Sequence, residues 1–102
     1  MGGMDRAEIE QRVRSTVQHL PMRDRIRRIS LFGSCLHGNA TPESDIDLLL
    51  EYTDPLSLFE LARVVRSLEK NLGRHVDLLT PGAISHFFRE EVIREAEPLY
   101  ER

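Results

Sequence analysis

Apolar positions recur along the first twenty residues at helical spacing. Ile9, Val13, Val17 and Leu20 fall on one stripe. Asp5 followed three residues later by Glu8 reads as a helix start, and Pro21 as its end. From 26 to 33 the period shortens to two. Ile29 and Leu31 alternate with Arg28 and Ser30, which predicts a strand. The next stretch, 33–44, holds Gly33, Gly38, Asn39 and Pro42 and reads as a loop or one short helical turn. A second strand is predicted over 45–51. Asp54 and Pro55 fit the N-cap and first position of a second helix, whose apolar stripe is Leu58, Ala62, Val65, Leu68 and Leu72 and whose stop is Gly73. A short third strand follows over 75–79. Thr80 and Pro81 then cap a third helix carrying Ile84, Phe87, Phe88 and Val92, and Pro98 stops it. The predicted order is α-β-β-α-β-α. This is an α+β fold, a small mixed sheet with helices packed on it, in one domain over residues 1–102.

Composition narrows the function without choosing one. Hydrophobic residues make up 40% of the chain, ordinary for a fold with one modest core. The net charge of -3 gives no bulk attraction to nucleic acid or to an acidic membrane, so neither is expected as a direct partner. Cys35 is the only cysteine and can form no internal disulfide. No apolar run approaches the roughly 20 residues of a membrane span, and a cytoplasmic location is the expectation.

The second strand carries the chemistry. Side chains alternate along a strand, so Asp45 and Asp47 share one face while Ile46, Leu48 and Leu50 share the other. The apolar face belongs to the core, which leaves two carboxylates side by side. Such a pair repels itself unless a cation or a proton intervenes. Mg²⁺, which favours carboxylates together with substrate phosphates, is the expected solution. In the third strand Val76 and Leu78 point one way and Asp77 the other. If the apolar faces align, Asp77 joins the first two acids. Three carboxylates can hold two Mg²⁺ ions roughly 4 Å apart for in-line phosphoryl displacement. Asp77 would accept the proton of an attacking hydroxyl. Gly33, at the end of the first strand, would let backbone N–H groups approach a triphosphate, and Ser34 adds a hydroxyl.

Gly33-Ser34, ten residues, then Asp45-Ile46-Asp47 resembles the G-S-x10-D-x-D signature of the DNA polymerase β-like nucleotidyltransferase superfamily. The stretches LFGSCLHGNATPESDIDLLLEY, HVDLLTPGAI and REAEPLY look like its minimal nucleotidyltransferase (MNT) branch, and the likeness spans about residues 26–100. The resemblance implies a palm-like catalytic fold without added domains, with ATP as donor. It implies a HEPN-type ribonuclease toxin as partner, encoded alongside, with AMP transferred to a toxin tyrosine and the chain acting as antitoxin. Carried over residue by residue, Gly33 and Ser34 match the phosphate-binding pair, Asp45 and Asp47 the metal ligands, and Asp77 the third acid. One departure stands out. Relatives often read G-S-R-A-R-G where this chain reads Gly33-Ser34-Cys35-Leu36-His37-Gly38. Two permanent cations are therefore missing beside the phosphates, although His37 can donate a hydrogen bond there. That departure favours an alternative, an antitoxin that neutralises its toxin by binding alone; transfer to a small-molecule acceptor is a third reading.

Other residues read as background. Cys35 is a small loop side chain. His19 and His86 are surface positions, and His75, on the face of Asp77, is an incidental surface residue or one that supports the acids from behind. Arg23, Arg25, Arg27 and Arg28 form a basic run, either a solvated edge or a contact for an acidic partner or RNA.

Overall fold

A computed structural model describes residues 5–33, 45–83 and 89–102. Ser34, Cys35, His37, Ile84, His86, Phe87 and Phe88, all singled out above, lie outside the described residues. Helix α1 spans Arg6–Gln18, and the Asp5 side chain accepts a hydrogen bond from the Glu8 backbone N–H at its start. Its buried residues are Ile9, Val13, Thr16 and Val17, the predicted stripe with one hydroxyl added. Thr16 satisfies that hydroxyl by donating to the Arg12 carbonyl at 2.7 Å and accepting from Asn71 Nδ2 at 2.6 Å. Strand β1 (Ile26–Phe32) follows a 3-10 turn over Arg23–Arg25, and β2 spans Ile46–Tyr52.

Helix α2 runs Leu58–Leu72, three residues later than Asp54 and Pro55 predicted. The stronger cap wins. Ser57 accepts from the Glu60 N–H at 3.1 Å, and the Glu60 carboxylate accepts from the Ser57 N–H at 2.9 Å. This reciprocal capping box satisfies two otherwise orphaned donors, which Asp54 cannot do. The buried stripe also differs from the predicted one. Val64, Leu68 and Leu72 are buried, with Leu61 packed against the core, whereas Leu58 and Ala62 face out. Gly73 ends the helix in the left-handed region (φ 69°), as expected of a glycine stop.

Strand β3 spans Val76–Leu79 and leads into a 3-10 turn over Pro81–Ala83. Helix α3 covers Arg89–Glu95. The chain then does something the sequence reading missed. Glu97–Glu101 form a fourth strand, β4, in place of a helix stop at Pro98. The sheet order is β3-β2-β1-β4, with β1 antiparallel to both β2 and β4 and with β2 parallel to β3. Pro98 lies on an edge strand, where its missing N–H leaves no central ladder bond unmade.

One face of the sheet carries the core. Ile29, Leu31, Ile46, Leu48, Leu50, Val76 and Leu99 join Ile9, Val13 and Val17 of α1 and Val64, Leu68 and Leu72 of α2 in a single cluster. Arg14 Nε donates to the Leu99 carbonyl at 2.8 Å, tying α1 to the edge strand. Arg12 reaches the Asn71 carbonyl at 2.9 Å, tying α1 to the end of α2. On the other face lie Ser30, Asp47, Leu49 and Asp77. Leu49 and Ser30, register partners across β1 and β2, are also buried. The acids therefore occupy only one end of that second face.

Candidate active site

The pairing of β2 with β3 decides whether the acids meet. The strands run parallel, with Asp47 opposite Asp77 in register and Leu48 opposite Leu78. Both carboxylates thus leave the sheet on the face away from the core, as the alternation demands. Parallel strands need a long crossover, and α2 supplies it. The apolar stripe of α2 sets which way β3 returns, so Asp77 reaches Asp47 through helix packing as much as through its own strand.

Asp45 sits just before β2 begins. The Ile46 N–H donates to the His75 carbonyl at 2.9 Å, which anchors the mouth of β2 beside the mouth of β3. Asp45 and Asp77 are exposed, whereas Asp47 is half-buried. Burial, then the negative charge of Asp77, then that of Asp45, push the Asp47 carboxyl above its ordinary range. Each cause penalises the ionised form. Among the described residues no three of His, Cys, Asp and Glu close into a group that would hold a metal ion as they stand.

Gly33 meets Asp47 directly. Phe32 is opposite Asp47 in register, and the chain leaves β1 at Gly33 with φ 78°. A Cβ on Gly33 would stand 2.3 Å from Asp47 Oδ2, 3.1 Å from its Cγ and 3.2 Å from its Cβ. Glycine is therefore required here twice: for a left-handed backbone and for room beside a carboxylate. The sequence suggested only that a bare backbone suits a phosphate.

His75 takes a supporting position, beside an acid other than the one the sequence suggested. Its Nδ1 lies 3.4 Å from Asp45 Oδ2 and its Nε2 lies 3.8 Å from Glu69 Oε2. Glu69 also accepts from the Val76 N–H at 3.0 Å. The last turns of α2, the start of β3 and the first site acid are thereby linked through one imidazole. The available signal was a histidine two residues from Asp77, but its contact is with Asp45 across the parallel pair.

Oxygen-rich, mutually repelling and exposed on one side, this arrangement suits a small divalent ion shared with a phosphate chain. Comparisons with known proteins agree on the family. The family model described as polymerase beta nucleotidyltransferase matches residues 15–102. A Methanocaldococcus jannaschii protein, named as a candidate protein adenylyltransferase, is 37% identical over 71 residues, covering 70% of this chain and 76% of its own length. A solved structure described as a candidate minimal nucleotidyltransferase is 36% identical with a TM-score of 0.75, over 93% of this chain and 96% of that one. The fold also matches, with a TM-score of 0.66 and 21% identity over 92% of this chain and 71% of that one, a complex of tri-AMPylated Shewanella oneidensis HEPN toxin with MNT antitoxin.

Proposed function

The chain belongs to the polymerase beta nucleotidyltransferase family, and from that membership we propose that it transfers AMP from ATP to a tyrosine hydroxyl of a HEPN-family ribonuclease toxin, acting as its antitoxin. Residues 1–102 act as one nucleotidyltransferase domain. The observation that carries the reading is the register of Asp47 against Asp77, with Gly33 packed on Asp47. That juxtaposition supports a site for phosphate chemistry, and the family match and the relatives named protein adenylyltransferase support the reaction.

The donor set fits Mg²⁺. Asp45, Asp47 and Asp77 offer only carboxylate oxygens, and the repulsion that raises the Asp47 carboxyl is what a divalent cation relieves. When bound, two such ions would neutralise the triphosphate and acidify the attacking hydroxyl. The chain's own residues do the rest. Gly33 keeps the wall beside Asp47 open, and Ser34 and His37 donate to the phosphates. Asp77 accepts the proton of the tyrosine hydroxyl as its oxygen bonds to the α-phosphorus. The bond from the α-phosphorus to the bridging oxygen breaks, and pyrophosphate leaves. His75 positions Asp45 through the contact of its Nδ1 with Asp45 Oδ2. A bulky anion on the toxin then blocks RNA by charge and volume.

The presence of Cys35 and His37 where relatives often carry arginines favours a second reading, neutralisation by binding alone. One experiment separates the two. The chain, ATP and Mg²⁺ are mixed with the protein encoded by the adjacent gene, and the products are weighed intact. A gain of AMP units on the partner, absent with Asp45→Asn, is expected. Inhibition of the partner without mass gain, equally strong with Asp45→Asn, would refute transfer.

A further inference from the structure

Three large apolar side chains are exposed among the described residues: Tyr52 at 37%, Leu58 at 83% and Phe59 at 89%. All lie within eight residues of sequence, at the end of β2 and the first turn of α2. Asp47 is five residues back along β2 from Tyr52, so about 17 Å separates this cluster from the acids at 3.3–3.4 Å per residue. Phe59 lines a groove of about 260 Å³ with Pro21, Met22, Arg25, Glu60 and Arg63.

The charges around the groove do not cancel. Arg25 is paired with Glu60. Arg63 and Arg66 lie one and two turns beyond Phe59 on the same helix face, and neither has an ion-pair partner among the described residues. Arg23, in the turn beside Met22, spends its guanidinium on the Gln18 carbonyl at 2.9 Å and on no acid. Glu60 lines the groove but is engaged by Arg25, and the other acids near in sequence, Asp24 and Asp54, do not line it. A chain of net charge -3 thus presents an exposed Phe59 beside Arg63 in one groove, with Arg23 and Arg66 near it in the chain and likewise paired with no acid among the described residues. Isolated exposed apolar residues are ordinary, but clustered ones beside unpaired cations are not. Phe and Arg are also the residue types enriched at protein interfaces.

We infer that this end of the molecule, centred on Leu58 and Phe59, is a docking surface for a partner-protein helix whose apolar stripe is flanked by Asp and Glu. The helix seats its apolar residues on Leu58 and Phe59, and its carboxylates face Arg23, Arg63 and Arg66. Because the surface lies at the far end of β2, a partner held there leaves Asp45, Asp47 and Asp77 uncovered. The surface rests on the proposed function only in taking the partner to be a protein.

The test is calorimetric titration of the full chain with the protein encoded by the adjacent gene, without nucleotide, at low and high salt. Phe59→Ser and Leu58→Ser are expected to raise Kd at least tenfold. Arg63→Glu and Arg66→Glu should raise it several-fold and flatten its salt dependence. All four positions are exposed, so melting temperatures should hold, and Asp47→Asn should bind like the parent chain. Unchanged affinity in both apolar variants, or no binding by the parent chain, would overturn the inference. So would sedimentation in which Phe59→Ser dissolves a self-dimer, or variants that lose binding to RNA alone. A parent chain that binds through this surface yet transfers no AMP would instead sink the proposed reaction and leave the surface standing.

Discussion

Gly33→Ala tests the link between backbone and site most sharply, because a second glycine serves as its control. Gly33 and Gly73 have nearly the same conformation, φ 78° and 69°. Alanine in the left-handed region costs about 1–2 kcal/mol at either position. At Gly73 a new Cβ meets nothing within 4 Å, so that penalty is the whole effect. At Gly33 it meets Asp47 Oδ2 at 2.3 Å, Cγ at 3.1 Å and Cβ at 3.2 Å. Swinging the carboxylate oxygens clears only the first contact. Relieving the Cγ contact requires the first side-chain torsion to leave its well, which adds about 0.5–1.5 kcal/mol. With about 4–8 °C lost per kcal/mol in a domain near this size, Gly33→Ala should melt several degrees below Gly73→Ala. The assay is thermal denaturation followed by circular dichroism in metal-free buffer. Asp47→Ala supplies the second arm, since it removes Oδ2 and Cγ. The double variant Gly33→Ala with Asp47→Ala should therefore lose less stability than the two single losses added together. Equal melting of the two glycine variants, or strict additivity in the cycle, would refute the packing of Gly33 on Asp47. The same displacement should lower AMP transfer by Gly33→Ala and spare it in Gly73→Ala.

Asp47→Asn should be at least as stable as the parent chain at pH 7 without metal. The folded carboxyl binds its proton more tightly than the unfolded one, so parent stability falls as pH rises from the unfolded value of about 3.9 through the raised folded value. The two proteins should melt alike at acid pH and diverge as the Asp47 carboxyl ionises, by a small margin because Asp47 is only half-buried. Added Mg²⁺ should then raise the parent's melting temperature and leave Asp47→Asn unmoved, and a thermal series in pH and Mg²⁺ checks both arms. Ser57→Ala should cost about 0.5–2 kcal/mol in urea denaturation through loss of its cap, whereas Asp54→Ala should change little. His75→Ala should raise the Mg²⁺ concentration for half-maximal transfer about tenfold at unchanged melting temperature, because His75 touches Asp45 and lies outside the core. An unaltered Mg²⁺ midpoint would reduce that contact to proximity.

Several misreadings share one cause. Asp54-Pro55 and Ser57 with Glu60 are both sound helix starts locally, and only the capping box actually formed shows which prevails. The predicted stripe also put Leu58 toward the core, whereas the packing of α2 on the sheet buries Val64, Leu68 and Leu72 and leaves Leu58 in solvent. Glu97–Glu101 carries two glutamates and a proline, a composition that argues against a strand. It becomes one because the edge of β1 stands open beside it, with Ile29 opposite Tyr100 and Leu31 opposite Glu97.

The sequence by itself determined what depends on neighbours along the chain. The alternation in Asp45-Ile46-Asp47-Leu48 assigns acids and core to opposite faces whatever the strand pairs with, and the αL stop at Gly73 follows from the missing Cβ. The likeness of Gly33-Ser34 and Asp45-Ile46-Asp47 to a family signature was legible for the same reason, being a matter of spacing alone. The tertiary structure decided what depends on residues far apart. It set Asp77 opposite Asp47 through the packing of α2, brought His75 to Asp45, and made Gly33 a neighbour of a carboxylate fourteen residues on. It also raised the Asp47 carboxyl, since burial and the charge of Asp77 exist only once β2 and β3 are side by side. Periodicity is a property of backbone geometry, repeated at every residue. Register, desolvation and charge coupling are properties of a folded surface, and chain segments brought together from a distance create them.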